Sequence, residues 1–454
     1  MMSFSDPLTA FVESACVRIG PGQYSHQDGA LDKANEILQA HPDLPATSLY
    51  AAAILGDDLR LKEALAQEPS AATTKGGPRN WDPLTYLCFS NYLRLDRARS
   101  DGFVRSTALL LNAGADANSG FFEASHQPEP VWESVLYGAA GSAQHPGVTQ
   151  LLIDHGADPN DPETPYHSTE TYDNTTLKIL IGSGKLTPRS FTIMLVRKAD
   201  WHDYDGMELL LRAGADPNHM SIWGFTPLHQ SIRRDNRLRQ IDLLLDHGAD
   251  PTITSFHDGL SPASVAIRRG RADVLASLKH RGILPEPKGA ERLIYACAMN
   301  DSAAVRQIIK EHPEWVEQVK KEGPTLLAEF AGTANADGVR QLLDLGIPVT
   351  SLYGGDAYFG IPPKSTALHV AAWKAWPNAV SVLIERGAPI DQPDGYGRTA
   401  LQLAVRAATN SYWTNRRSTD SIKALLDAGA SIEGIPIPTG YDEADTLLRA
   451  AGAA

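Results

Sequence analysis

Histidine and carboxylate side chains occur close together in the first half of the chain. His167, Glu170 and Asp173 share one eight-residue run, and His202 and Asp203 follow further along. Imidazole and carboxylate groups can hold a divalent metal ion or transfer protons as general acids and bases. No fixed-spacing metal motif such as HExxH is present, so no metal site is predicted. Helix and turn capping by these residues is the competing interpretation.

Basic residues occur in three successive pairs that could bind carboxylate or phosphate, because a guanidinium group offers two parallel donors. The pairs begin 36 and 35 residues apart and are Arg197-Lys198, Arg233-Arg234 and Arg268-Arg269. At equivalent positions of stacked units they would form a ladder with about 10 Å between steps. The helix dipole also favours cations at a helix C terminus, by about 0.3–1 kcal/mol each. The pairs therefore predict either anion recognition or ordinary helix termini.

Aromatic residues are concentrated in long connections and just before the predicted helices. The candidates for contact with a partner are Trp81, Trp132, Tyr166, Tyr172, Trp201 and Trp223. Rings at such positions can anchor a protein partner. Long loops that pack on one another would instead bury them, and both interpretations stay open.

A repeated phrase indicates which elements position these residues. An apolar triplet, a glycine and an Asp-Pro-Asn-like turn recur at residues 109–118, 151–160, 209–218 and 243–251. The triplet predicts the buried face of a helix, and the glycine predicts its left-handed end. The steps from Gly214 to Gly248 and from Gly248 to Gly282 are both 34 residues. Self-similarity at this period predicts stacked helical units.

A second phrase opens these units. In the run 224–229, Thr226 can cap a helix and Pro227 fits its first position, and the runs 366–369 and 397–401 are similar. With its TPLH and LLLxxGADxN phrases, the sequence resembles the ankyrin-repeat family over residues 46–435. The resemblance implies an all-α solenoid of about ten helix-turn-helix repeats with hairpin loops, whose concave groove usually binds a protein. It also implies a structural role for His229 and His369.

The predicted organisation has three parts. Residues 1–45 form an N-terminal helical cap, residues 46–436 form the ankyrin-repeat array, and residues 437–454 form a C-terminal capping helix, since terminal repeats need a polar outer face. Several connections are longer than the family pattern requires and are read as insertions: 119–130, 161–174, 349–364 and 408–418.

Composition excludes several classes of function. The 454 residues carry a formal net charge of −13, which disfavours a nucleic-acid binder. The three cysteines lack CxxC spacing and suit a reducing compartment. Neither a secretory signal nor a membrane-length apolar run is visible. The sequence thus predicts a cytoplasmic protein with no membrane or nucleic-acid partner and no cofactor.

Two function classes remain. The first is a recognition scaffold that binds a protein partner, with its acidic groups on the arginine ladder and its apolar groups against Trp223. The second is a small-molecule-binding protein or a hydrolase- or lyase-type enzyme whose insertions close over an anionic substrate. In that case Arg197, Arg233 and Arg234 would hold the substrate, and the histidines and carboxylates named above would be its acid–base or metal groups.

Overall fold

A computed structural model describes residues 6–20 and 26–452, with the backbone alone for Tyr412 and Thr414. The chain divides into two compact units, Met1–Ala249 and Asp250–Ala454. Each unit is a set of helix pairs in which a helix packs on its sequence neighbour and on a helix of the next pair. The predicted fold class, an all-α ankyrin-repeat solenoid, is confirmed.

The first unit contains fifteen described α-helices together with three short turns of other helical types. The 3₁₀ turns are Pro69–Ala72 and Arg97–Arg99, and a π-helical turn spans Tyr137–Ser142. The α-helices are Pro7–Ala15, Asp32–Ala40, Leu44–Thr47, Leu49–Leu55, Asp58–Gln67, Pro83–Cys88, Asn91–Leu95, Ser100–Asn112, Pro146–Asp154, Thr164–His167, Thr175–Gly182, Pro188–Asp200, Tyr204–Arg212, Pro227–Arg233 and Leu238–Asp246.

The opening phrase forms the helix starts that its residue types predict. Thr226 precedes the helix Pro227–Arg233, and His229 Nδ1 lies 2.8 Å from Thr226 Oγ1 and 3.2 Å from the Thr226 amide. His369 makes the same contacts with Thr366 in the second unit. These histidines satisfy amides that would otherwise lack a partner at a helix N terminus.

The apolar triplets form the shared core of the first unit. The central leucine of each triplet, Leu110, Leu152, Leu210 or Leu244, has no exposed surface. Full burial of one such side chain stabilises the fold by about 1.5–3 kcal/mol. Each triplet helix ends two residues before a glycine such as Gly214, whose φ of 98° would strain any residue with a Cβ atom.

The insertion after the first triplet forms a β-hairpin. Strand β1, Gly120–Glu123, pairs antiparallel with strand β2, Val131–Ser134, so that Phe121 lies opposite Glu133 and Phe122 opposite Trp132. Side chains alternate between the faces of a strand. One face therefore carries Phe121, Glu123 and Glu133, and the other carries Phe122 and Trp132, which are 60% and 39% exposed.

The hairpin depends on a glycine at its first position. A Cβ atom on Gly120 would collide with the carbonyl oxygen of Glu133 on the paired strand. We expect Gly120→Ala to destabilise the first unit by about 1–3 kcal/mol, the usual cost of overpacking. Urea unfolding followed by tryptophan fluorescence measures this loss. Gly182→Ala is the matched control, because the added Cβ atom meets open space, and an equal loss there would contradict the explanation.

The second unit is built from twelve described α-helices. A 3₁₀ turn spans Tyr412–Arg416. The α-helices are Pro262–Arg268, Ala272–His280, Glu291–Ala298, Ser302–Glu311, Pro313–Lys321, Gly323–Gly332, Ala336–Asp344, Ala367–Trp373, Pro377–Glu385, Ala400–Thr409, Asp420–Asp427 and Asp442–Ala450. No helix among the residues that the structure describes is long and apolar enough to cross a membrane.

The two insertions of the second unit pack on each other through their rings. Tyr353, Phe359 and Trp413 are at most 8% exposed and share a cluster with Val370. The ring centroids of Phe359 and Trp413 lie 5.5 Å apart. In this unit the inserted aromatic residues mainly form core, which is the packing interpretation of the two that the sequence left open.

Candidate functional site

His167 is held between two carboxylates. Its Nδ1 lies 2.8 Å from Glu170 Oε2 and its Nε2 lies 3.1 Å from Glu163 Oε2. Burial opposes protonation of the ring, but these hydrogen bonds outweigh it and raise the pKa of His167 to about 9. At neutral pH both nitrogens therefore carry protons, and the ring offers no lone pair to a metal ion or to a substrate proton.

The ion pairs continue from Glu170 into the following helix pair. Arg197 Nη2 lies 2.6 Å from Glu170 Oε1, and its Nη1 lies 2.7 Å from Asp200 Oδ2. Asp200 Oδ1 in turn accepts a hydrogen bond of 2.7 Å from Arg234 Nε. The network therefore contains three cations and three anions. The cations are His167, Arg197 and Arg234, and the anions are Glu163, Glu170 and Asp200. The positive charge at Arg197 and Arg234 is therefore largely compensated within the chain.

Lys198 and Asp203 form a separate, buried pair. Lys198 Nζ lies 2.8 Å from Asp203 Oδ2 and donates to the carbonyl of Thr171 at 2.6 Å, and its side chain has no exposed surface. Asp203 Oδ1 accepts from the Gly206 amide at 3.0 Å and so caps the helix Tyr204–Arg212. Lys198 thus supports the helix pair from inside and is shielded from any partner.

The other two acid–base candidates occupy turns. Asp173 Oδ1 accepts from the hydroxyl and the amide of Thr175, and these bonds lower the pKa of Asp173. His202 follows a helix in the left-handed region with φ 52°, and its carbonyl accepts from Gln240 at 3.1 Å. The five predicted residues therefore divide between the His167–Glu170 network, the Lys198–Asp203 pair and these two turns.

Five predicted or adjacent binding residues form a continuous surface, which we name the aromatic–arginine strip. The Arg197 guanidinium lies 4.0 Å over the ring of Tyr166, and Tyr166 lies 6.1 Å from Trp223. Trp223 stacks at 6.2 Å on Phe225, over which the Arg233 guanidinium lies at 5.4 Å. All five side chains are partly exposed. The sequence named four of them and missed Phe225.

The remaining aromatic candidates have different environments. Trp81 is only 5% exposed and stacks at 4.4 Å on Phe121, so little of its ring is left for a partner. Trp132 lies on the outer face of the hairpin. Tyr172 is 63% exposed and meets Trp201 edge to face at 5.6 Å.

In the second unit, both basic candidates are paired with glutamates. Arg268 contacts Glu322 and lies 3.7 Å from Glu291, and Arg269 Nη1 lies 2.8 Å from Glu329 Oε2. Glu291 and Glu329 lie in other helices of the same unit, and Glu322 lies between the helices Pro313–Lys321 and Gly323–Gly332. As in the first unit, the cations that the sequence pattern identified have carboxylate partners within the chain.

One cluster in the first unit was absent from the sequence predictions. His26, Glu123 and Glu133, the buried carboxyl cluster, each offer one atom within 4.8 Å of the others. Burial of Glu133, reinforced by the charges of Glu163 and Glu123, raises its pKa to about 9. The alternation of Phe121-Phe122-Glu123 and Val131-Trp132-Glu133 around a Pro-rich turn is the signal that could have revealed the hairpin.

Repeated helix pairs, each packed on the next pair, define a helical-repeat protein. The ankyrin repeat family model matches residues 223–256 and 364–395, which contain the Thr226–His229 and Thr366–His369 caps. The chain therefore contains ankyrin repeats. Such repeats indicate a scaffold for interaction with other proteins.

Several known proteins are similar to parts of the chain. The ankyrin repeat domain-containing protein SAT10 of Stachybotrys chartarum is 26% identical over 53% of this chain. The transient receptor potential cation channel subfamily A member 1 of Homo sapiens is 25% identical over 38%. A fowlpox virus ankyrin repeat protein, FPV232, is 37% identical over 18%. The aligned regions span 12%, 16% and 16% of the lengths of these relatives.

Among solved structures, the human ASB11 ankyrin repeat domain aligns with 20% identity and a TM-score of 0.24. The alignment covers 52% of this chain and 98% of that domain.

Proposed function

We propose that the chain is a protein-recognition scaffold and that the aromatic–arginine strip of its first unit is the contact surface. The partner segment would place an apolar or aromatic side chain against Trp223 and Phe225, and an acidic side chain beside Arg233. The observation that carries the proposal is the unbroken series of ring and guanidinium contacts from Arg197 to Arg233.

The residue types of the strip suit a binding surface. Tryptophan, tyrosine and arginine are the residues that most often dominate the energy of protein interfaces. Their rings and guanidinium planes are already stacked, so they would lose little conformational freedom when a partner binds. The strip also lies beside the helix starts and the 161–174 insertion, where repeat proteins commonly contact partners.

The charge arrangement favours an acidic partner with a limited number of carboxylates. Arg197 and Arg234 already share Asp200. Arg233 ends the helix Pro227–Arg233 and stacks on Phe225. A partner carboxylate near Arg233 would meet both the guanidinium and the outer edge of the compensated network.

Selection of peptides from a random display library on the purified full chain tests the proposal. We expect enriched peptides to combine an aromatic or large apolar residue with a nearby acidic residue. Trp223→Ala and Arg233→Glu should each weaken binding at least tenfold, about 1.4 kcal/mol, as measured by fluorescence anisotropy. The melting temperature should stay nearly unchanged, since both side chains are partly exposed.

Arg239→Glu is the matched control, because Arg239 also lies over a ring, that of Tyr204 at 5.2 Å, but outside the strip. An equal loss of binding in this control would show a general charge effect and contradict the proposed surface. Enriched peptides without acidic residues would contradict the acidic partner. Binding that survives Trp223→Ala would exclude the strip as the contact surface.

A further inference from the structure

The hairpin presents two carboxyl groups to the interior of the first unit. Glu123 on β1 and Glu133 on β2 share the face that also carries Phe121, because the register pairs Phe121 with Glu133. Phe121 is buried and stacks on Trp81, so this face is turned towards the core. Two carboxyl groups on a core-facing hairpin surface need a partner, since an ionised carboxylate is costly to remove from water.

A histidine from the N-terminal region completes the cluster. His26 Nε2 lies 3.0 Å from Glu123 Oε2, and His26 Nδ1 lies 3.0 Å from the hydroxyl of Tyr137. The imidazole is itself 9% exposed and packs against the rings of Phe121 and Tyr137. The aromatic contacts fix the ring, and the Tyr137 contact lets Nδ1 hold the proton while Nε2 faces the carboxylates.

One carboxyl oxygen of the third member, Glu133, lacks a hydrogen-bond partner among the described residues. Glu133 is 1% exposed, and its Oε2 has no hydrogen-bond partner within the described parts of the chain, 6–20 and 26–452. A buried carboxyl oxygen without a partner is destabilising. One carboxyl oxygen of Glu133, one of Glu123 and one ring nitrogen of His26 all lie within 4.8 Å of one another.

We infer that His26, Glu123 and Glu133 bind one divalent transition-metal ion, of which Zn²⁺ and Mn²⁺ fit the ligands. On binding, the ion would displace the proton of Glu133, and the two carboxylates and one neutral imidazole would then carry a charge of −2, which a divalent ion balances. Metal–ligand distances of about 2.0–2.2 Å are reached by small side-chain movements from the observed cluster. The mixed nitrogen and oxygen ligands favour Zn²⁺ or Mn²⁺ over Mg²⁺, which prefers an all-oxygen shell.

The site would join two segments that are distant in sequence. His26 precedes the hairpin by roughly a hundred residues, and Tyr137, which orients the imidazole, begins the π-helical turn after β2. An ion at this position would fasten the N-terminal segment to the hairpin. We therefore expect it to stabilise the first unit, because a ligand bound only by the folded state shifts the unfolding equilibrium.

Metal binding to the full chain after removal of ions with a chelator tests the inference. We expect isothermal titration with ZnCl₂ and with MnCl₂ to show one saturable equivalent, and mass spectrometry of the dialysed protein to find one ion per chain. Glu123→Gln, Glu133→Gln and His26→Asn should each lower the affinity at least tenfold and abolish the metal-induced rise in melting temperature. MgCl₂ should produce neither effect.

Two controls separate this site from other imidazoles. His126→Asn removes an exposed histidine of the hairpin connection, and His167→Gln removes the histidine of the neighbouring ion-pair network. Both variants should keep the one equivalent. The inference is overturned if the wild type shows no saturable binding, if binding persists in all three ligand variants, or if it is lost in His126→Asn. A cooperative thermal unfolding transition of each variant without metal shows that the variant has folded.

Discussion

Lys198→Met is expected to lower the free energy of unfolding of the first unit by about 3–5 kcal/mol, the usual effect of removing one partner from a buried ion pair. The Lys198 side chain has no exposed surface, and its Nζ is the cation paired with Asp203 Oδ2. Methionine keeps the apolar stem but removes the charge. Asp203 would then be a buried carboxylate with only neutral donors, and the carbonyl of Thr171 would lose its donor.

Urea unfolding at neutral pH, followed by circular dichroism, measures this effect. Lys178→Met is the matched control, because Lys178 is exposed, and a change within about 0.5 kcal/mol is expected there. The double variant Lys198→Met/Asp203→Asn should recover much of the loss, since asparagine still caps the helix and no buried charge remains. A single variant as stable as the wild type would contradict the structural role of the pair.

The helical repeats could be predicted because their signals are local. Thr226, Pro227 and His229 lie within four residues of one another, so their types and spacing define the cap before any tertiary contact is considered. The same holds for the helix Tyr204–Arg212. Its apolar triplet and the left-handed turn at Gly214 lie within a few residues of each other. Both features are decided by short-range sterics and hydrogen bonding.

The charge partners could not be predicted because they come from other segments. The regular spacing of Arg197 and Arg233 gave no information about Glu170, which a loop conformation brings to Arg197. The pattern therefore predicted a row of cations, whereas the structure has a compensated network at Arg197. Loop geometry depends on packing against neighbouring repeats, and residue spacing within a loop says little about it.

The hairpin and the buried carboxyl cluster were missed for a related reason. Each strand has only four residues, too short for a clear alternation, and the surrounding helical period dominates. His26 approaches the hairpin from a segment that has no repeat signature at all. A cluster assembled from such distant positions becomes visible only when the strand register is known.

The stability of the first unit should fall as pH rises from about 7 to above 9, because His167 is protonated in the folded protein. Its folded pKa of about 9 exceeds the ordinary value of 6.5. The stabilisation is therefore fully present below pH 6.5 and is lost as pH rises through 9. The difference between 6.5 and 9 corresponds to about 3.4 kcal/mol. His167→Gln should remove that part of the pH dependence, which the difference between the two unfolding curves reports.

Other titrating groups lie near the His167 ring, so its contribution is obtained from the difference in stability between wild type and variant at each pH. Glu163 and Glu170 contact the two nitrogens, and Arg197 binds the second oxygen of Glu170. Burial raises the pKa of Glu133 from 4.5 to about 9, so Glu133 also makes stability fall as pH rises, over the wider range from about 4.5 to 9. Measuring wild type, His167→Gln and Glu133→Gln in a chelator separates the two contributions and keeps metal binding out of the comparison.

Nuclear magnetic resonance tests the protonation of His167 directly. Its Cε1–H signal, identified by its absence in His167→Gln, should titrate with a midpoint near 9. His145 provides an internal contrast, because burial and the nearby Arg97 charge lower its pKa below 6.5. A His167 midpoint near 6.5 would contradict the charged bridge between Glu163 and Glu170. In that case His167 would be neutral at pH 7. The two arginines would then face three carboxylates, and the network would carry an excess of negative charge.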